Sequence, residues 1–377
     1  MTRSLAITRL RLTDFRNYSR AELALDARPV ALAGPNGAGK TNLLEAVSML
    51  SPGRGLRRAK LDSLRRAENG ETAPAWGVAA TIARAGETHE ITTGVAPEAP
   101  NRRIVKIDGT NAPASDLTAL IPMVWLTPAQ DRLFMGPPGD RRRFLDRLTL
   151  AAAPDHARNA SIYEKAMRER QRLLDDNVFD PSWLGALEAR MAESGAAMAA
   201  ARARTLSRLA EQIAASPDTA FPTARLALDG ALEEAALGGE THETIGERFA
   251  GRLAEARSRD AAAGRALSGP HRSDLRVTHR EKDAPAAQCS TGEQKALLTG
   301  LILAQARALA ADHGIGPIVL LDEAAAHLDP DRRAALIAEL NDLGAQAWLT
   351  GVESRLFEAF TTDAQMFRVE TGEITPG

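Results

Sequence analysis

Eight consecutive residues, Gly34-Pro35-Asn36-Gly37-Ala38-Gly39-Lys40-Thr41, match the phosphate-binding pattern G-x-x-x-x-G-K-[ST]. Glycines in such a loop let successive backbone N–H groups turn inward around phosphates. Lys40 would reach the β- and γ-phosphates of ATP, and the Thr41 hydroxyl would ligate Mg2+. The helix that follows adds the positive end of its dipole. Lysine is scarce, six residues in 377, so a glycine-rich turn holding Lys and Thr by chance explains the run poorly. Such a loop needs an acidic partner on a neighbouring strand. Ile318-Val319-Leu320-Leu321 reads as a fully buried strand that delivers Asp322 and Glu323 at its C-terminal end. Asp322 would hold Mg2+ directly or through water, and Glu323 would polarise the attacking water. Standing alone, the same residues would read as a strand running into a helix cap.

The third element is Ser290-Thr291-Gly292-Glu293-Gln294-Lys295. Ser290 and Glu293 fit a capping box, which is sufficient to explain them. The functional reading is the signature motif of ABC-type ATPases, where a serine and a helix N-terminus bind the γ-phosphate of ATP held by a second protomer. Its place about 30 residues before Asp322 favours that reading. Ala326-His327-Leu328-Asp329 then looks like a D-loop, with Asp329 also an N-cap and Pro330 at N1. Basic residues concentrate at Arg54, Arg57, Arg58, Lys60, Arg65 and Arg66, against one acid, Asp62. Arg102, Arg103 and Lys106 form a second cluster and Arg141-Arg142-Arg143 a third. Such patches suit DNA phosphates without sequence preference, and equally a solvated face.

These groups need elements to position them. Residues 3–25 read as strand, turn and strand, 29–33 as a buried strand, and 42–50 as a helix. Residues 76–110 are strand-rich and 123–126 form another apolar run. The middle is helical at 140–153, 160–176 and 182–216, with a strand at 221–229 and a helix at 243–267. The longest of these helices would span ~45–50 Å. After Gly269 the pattern returns to α/β: strands at 275–278, 318–321, 347–349 and 366–369, helices at 293–310 and 331–343. Lys40 and Asp322 lie 282 residues apart, so a large insertion leaves and rejoins one nucleotide-binding sheet. The expected fold is an α/β ABC-type P-loop head assembled from both chain ends around a mostly helical lobe. The expected divisions are 1–145, 146–267 and 268–377.

Composition bounds the rest. A hydrophobic fraction of 44% and a charged fraction of 25% exclude disordered and fibrous classes. Aromatics at 4% argue against a base-stacking platform. A net charge of -2 excludes a constitutive, strongly basic nucleic-acid binder, so any DNA affinity must come from a local patch or a particular state. The single cysteine, Cys289, excludes disulfide frameworks and cysteine zinc sites within one chain. No apolar run approaches a membrane span and no signal peptide is evident, so no membrane partner and a cytoplasmic location are expected.

Taken together, the motifs resemble the RecF family of DNA replication and repair proteins. The resemblance rests on the phosphate loop and on Leu12-Thr13-Asp14-Phe15-Arg16-Asn17-Tyr18. It extends to Pro137-Pro138-Gly139-Asp140-Arg141-Arg142-Arg143-Phe144-Leu145-Asp146 and Ser268-Gly269-Pro270-His271-Arg272-Ser273-Asp274-Leu275. The 290–295 motif and the Asp322 region complete it. It implies an ABC-type head with a second helical lobe and no long coiled coil; the insertion is too short for such a rod. It implies an ATP- and Mg2+-dependent homodimer that sandwiches ATP and hydrolyses it slowly. It also implies binding to double-stranded DNA near single-strand gaps, and work with RecO and RecR to load RecA. Carried onto this sequence, Arg16 and Asn17 would approach the nucleotide. Gln130, in a Q-loop with Pro128 and Asp131, would help hold Mg2+, and Ser290, Gly292 and Asp329 would touch the partner's nucleotide. Two departures stand out. Asp322-Glu323 replaces a frequent Asp-Asp, and Leu349-Thr350-Gly351 lacks the histidine that often senses the γ-phosphate. An ABC ATPase driving a transporter is the alternative, disfavoured by the 282-residue split and Gly269-Pro270-His271-Arg272. A scaffold that binds ATP without turnover is disfavoured by Glu323.

Overall fold

The computed structural model describes residues 5–68, 70–216, 220–323, 328–353, 357 and 364–377. The Ala326-His327 half of the expected D-loop lies outside the described residues. The chain divides into two compact units. The first comprises 1–131, 216–222 and 290–377, the second 132–215 and 223–289.

The first unit contains two six-stranded sheets. One is antiparallel, in the spatial order Tyr18–Ala24, Leu5–Phe15, Trp76–Arg84, Glu87–Ala96, Ala99–Ile107 and Thr110–Asn111. In Trp76–Arg84 buried positions alternate with half-buried ones, because one face meets the core and the other is only partly covered. The other sheet runs in the order Met123–Leu126, Ile318–Leu321, Ala347–Gly351, Val30–Ala33, Gln365–Glu370 and Glu373–Pro376. All neighbours in it are parallel except the last pair. Its central strands are buried on both faces, which is why they read as unbroken apolar runs. The helix Lys40–Ser48 shares one core with both sheets through Leu43, Leu44 and Val47. Phe15 and Trp76 meet edge to face there at 5.5 Å. Gln346, fully buried, stitches the sheets together: it accepts from Ile7 N–H at 2.9 Å and donates to the Ile7 carbonyl at 3.0 Å.

The second unit is mostly helical. Pro138–Ala152, His156–Asp175, the 34-residue Pro181–Ala214, Ala231–Leu237, His242–Glu255 and Arg257–Ala263 pack around a three-stranded sheet and an Ala- and Leu-rich core. At 1.5 Å per residue the longest helix spans about 51 Å. No long coiled coil occurs among the described residues.

Two sequence expectations shift. The single helix expected over 243–267 breaks at Ala256, and Ala231–Leu237 is a further helix. The strand expected at 275–278 is Asp274–His279, and it pairs with Ala224–Asp229 in the second unit rather than resuming the head. Arg141 holds Asp274 bidentately at 2.7 and 2.8 Å, and Arg142 donates to the Ser273 carbonyl at 2.6 Å, which ties 138–152 to that strand. The divisions expected at 145 and 268 therefore fall inside this unit, and the head resumes at Ser290.

Candidate nucleotide site

The phosphate loop leaves the Val30–Ala33 strand at Gly34 and enters its helix at Lys40. Two glycines are required. A Cβ on Gly34 would lie 2.1 Å from the Val369 carbonyl oxygen. Gly39 has φ of 118°, and a Cβ there would stand 2.5 Å from Asn17 Nδ2 and 2.8 Å from the Tyr18 hydroxyl. Surrounding turns grip the loop by its carbonyls. Asn17 Nδ2 and Gly372 N–H donate to the Ala38 carbonyl at 3.2 and 3.1 Å, and the Tyr18 hydroxyl donates to the Gly39 carbonyl at 3.0 Å. Burial pushes the Tyr18 phenol well above its ordinary range, so it stays a donor. Because each peptide is planar and trans, carbonyls held outward turn the next N–H inward. No side chain caps the helix N-terminus and its first turn holds no acid, so its amides suit an anion.

The Lys40 ammonium donates to the Gly34 and Pro35 carbonyls at 2.6 and 2.8 Å. Burial lowers its pKa, opposed by the charges of Glu323 and Asp322. Arg16 is committed elsewhere: it binds both oxygens of the fully buried Glu45, at 2.8 and 2.9 Å, and donates to the Ser63 carbonyl. It thus anchors the phosphate-loop helix from behind. Asn17 Oδ1 accepts from Asn42 Nδ2 at 2.7 Å, which fixes the side chain that supports the loop.

Strand register brings the acidic pair to this loop. Leu321 lies opposite Leu349, and Gly351 opposite Ala33, so Asp322, Thr350 and the loop converge at one end of the sheet. Thr41 Oγ1 and Thr350 Oγ1 each donate to Asp322 Oδ1 at 2.9 Å. The Asp322 pKa is raised, by burial above all; these two hydrogen bonds oppose the rise without cancelling it, the Glu323 charge adds to it and the Arg57 charge opposes it. A hydroxyl whose proton is committed to a carboxylate turns its lone pairs outward. The 2.9 Å between the Thr41 and Asp322 oxygens also matches the ~3 Å edge of an octahedron with ~2.1 Å bonds. Among the described residues no group of three or more His, Cys, Asp or Glu could hold a metal. Mg2+ needs no such cage, since it is usually held by one or two side chains, waters and phosphates. The donor set fits the ion.

Glu323 sits in the left-handed region, with φ of 55°, and its N–H donates to Thr350 Oγ1 at 2.9 Å. That conformation costs ~1–2 kcal/mol for a residue with a Cβ. Asp322 and Glu323 line a groove with Thr127, Pro128, Asp131, Lys295 and Leu328. Lys295 pairs with Asp131 at 2.8 Å, which fastens the helix Thr291–His313 to the turn after Met123–Leu126. Gln130 is turned back: its Oε1 accepts from Thr127 N–H at 2.9 Å. The expected capping box is present, with Ser290 Oγ and Glu293 N–H at 3.4 Å and Ser290 N–H and Glu293 Oε2 at 3.0 Å. Ser290 and Gly292 are exposed, and a Cβ on Gly292 would meet nothing within 4 Å. Asp329 caps its helix by accepting from Arg332 N–H at 2.9 Å.

The basic clusters separate. Arg54, Arg58 and Lys60 are exposed. Arg57 reaches back to Asn42 at 2.7 Å and Glu45 at 3.3 Å, and Arg65 donates to the Asp62 and Ala73 carbonyls. Arg103 lies under the loop: it donates to the carbonyls of Met49, Ser51 and Gly53 and to Thr93 Oγ1. Arg141 to Arg143 are taken by Asp274, the Ser273 carbonyl and Asp140.

A phosphate loop and its acidic strand, drawn from opposite ends of one chain into a single parallel sheet, make this an ABC-type P-loop ATPase head. The model of the RecF/RecN/SMC N-terminal domain matches residues 6–375. The DNA replication and repair protein RecF of Rhizobium rhizogenes (strain K84) is 51% identical, with all of both chains covered. That of Caulobacter vibrioides is 51% identical over 99% of this chain and 98% of its own. The chain therefore belongs to the RecF family of DNA replication and repair proteins. A solved recombination mediator protein RecF with ATP, of the RecFOR pathway, has the same fold at a TM-score of 0.84 and 20% identity, covering 100% of this chain and 99% of its own. The SMC head domain of Pyrococcus furiosus is more distant, at a TM-score of 0.53 and 17% identity over 98% and 95%. Among the described residues no helix is long and apolar enough to cross a membrane.

Proposed function

We propose that the chain is an ATP-switched clamp on double-stranded DNA in recombinational repair. Two heads join over two ATP molecules, the pair grips duplex DNA near a single-strand gap, and slow hydrolysis resets it. RecO and RecR are its partners in loading RecA. The observation that carries the reading is the Thr41–Asp322 hydrogen bond, which joins the two halves of a phosphate site from residues 281 positions apart. In this reading Lys40 and the loop amides hold the phosphates, and Thr41 and Asp322 hold Mg2+, which neutralises phosphate charge. Glu323 orients the attacking water and accepts its proton. Ser290 and the open Gly292 meet the partner's nucleotide, with Asp329 beside them. Arg54, Arg58 and Lys60 contact DNA phosphates, and Arg57 and Arg65 shape their loop. ATP must favour the pair by ~10^4-fold to move it from 1% to 99% populated.

A gel-shift titration of gapped and continuous duplex, with and without ATP, tests this. The expected result is ATP-dependent binding, tighter on the gapped duplex and weakened by salt. Equal binding with and without ATP contradicts it.

A further inference from the structure

Between the phosphate-loop strand and the acidic strand lies Ala347–Gly351, whose penultimate residue is Thr350. Thr350 is almost fully buried, at 1% exposure, and its hydroxyl has two partners at the site. It donates to Asp322 Oδ1 at 2.9 Å and accepts from Glu323 N–H at 2.9 Å. The direction of each bond is fixed by chemistry. An ionised carboxylate only accepts and a backbone N–H only donates, so the single hydroxyl proton points to Asp322. One side chain therefore holds both members of the acidic pair. It sets the rotamer of Asp322, whose Oδ1 is shared with Thr41, and it anchors the backbone of Glu323 in its left-handed turn.

We propose that Thr350 is a positioning residue for ATP hydrolysis: its hydroxyl locks Asp322 against Thr41 and aims Glu323, without touching the nucleotide. This rests on the nucleotide reading above. The brace has two consequences. The Mg2+ ligands are set before nucleotide arrives, so the part of ATP affinity that depends on Mg2+ depends on Thr350. The part that depends on Lys40 and the loop amides does not. A misaimed Glu323 slows the chemical step without loosening the phosphates.

Thr350→Val keeps the shape and removes both bonds, while Thr350→Ser keeps the hydroxyl. Binding of a fluorescent ATP analogue is measured in Mg2+ and in EDTA, beside steady-state hydrolysis. For Thr350→Val the expected result is a 10- to 100-fold lower kcat, affinity in EDTA within about twofold of the parent, and loss of most of the Mg2+-dependent gain. Thr350→Ser should restore the gain to within about threefold. A merely structural role would lower affinity equally in Mg2+ and EDTA and would overturn the proposal. Parental kcat and an intact Mg2+ gain in Thr350→Val would do so as well. Thr350→Cys, nearly the same size with a weak donor, gives the same contrast if the valine variant does not fold. A parent chain that binds no analogue overturns the nucleotide reading itself, and the brace with it.

Discussion

Arg103 separates a structural arginine from a DNA-binding one. Its guanidinium donates to the carbonyls of Met49, Ser51 and Gly53, where the phosphate-loop helix ends and the basic loop begins. A fourth bond, to Thr93 Oγ1 at 2.8 Å, fixes it to the neighbouring strand. Burial pushes its pKa down to about 10. Arg103→Ala would remove four hydrogen bonds, each contributing ~0.5–1.5 kcal/mol net. Removing a half-buried charge offsets part of this, leaving a net loss of about 3 kcal/mol. Arg103→Lys presents one compact ammonium in place of a fork and should lose roughly half as much. Urea unfolding followed by tryptophan fluorescence reads this unit, since Trp76, Trp125 and Trp348 all lie in its core. Arg58→Ala, at an exposed position, should stay within ~0.5 kcal/mol of the parent. A loss below ~1 kcal/mol for Arg103→Ala, or an equal loss for Arg58→Ala, refutes the assignment.

Glu323→Gln should bind ATP normally and accumulate as an ATP-bound pair on DNA, with hydrolysis down ~10^2-fold or more; parental turnover would remove Glu323 as the base. Ser290→Arg should block pairing while the monomer still binds ATP, and loss of ATP binding by the monomer would place Ser290 in its own site rather than its partner's. In the second unit, His271 takes a hydrogen bond from the Tyr163 hydroxyl at 2.7 Å and donates to the Ala266 carbonyl at 3.1 Å. Burial lowers its pKa; the Ala266 bond opposes this, the Arg272 and Arg142 charges add to it, and the Asp260 charge opposes it. The unfolded chain therefore binds the proton first, and stability is full above pH ~6.5 and falls below it by up to ~1.4 kcal/mol per pH unit. Urea midpoints at pH 7 and 5 should show this decline, and His271→Gln should flatten it.

What could be read from sequence was local. The strand, glycine loop and helix at 30–48 announce themselves within 20 residues, as do the apolar run into Asp322-Glu323 and the Ser290–Glu293 cap. Each rests on periodicity or on a hydrogen bond three residues long. What escaped was pairing across the fold. Arg16 and Arg103 read as residues for a phosphate partner, yet both are spent on the chain itself, on Glu45 and on three carbonyls. Gly269-Pro270-His271-Arg272 read as a family signature; its physical content is a glycine at φ 133° beside Tyr163, and a fully satisfied neutral histidine. The second unit reclaimed 268–289 because strand 274–279 finds its partner at 224–229, a choice that periodicity does not encode. One signal was available for Thr350. Gln346 stands just before the strand Ala347–Gly351 and Thr350 near its end, and polar groups at both ends of a buried apolar run demand partners.

The central claim is that nucleotide in this site joins two heads. Light scattering of the chain with and without saturating ATP and Mg2+, beside Lys40→Ala, tests it most directly. The account predicts a doubling of mass with ATP that Lys40→Ala abolishes. An unchanged mass at saturating ATP, or a doubling that Lys40→Ala retains, would contradict it.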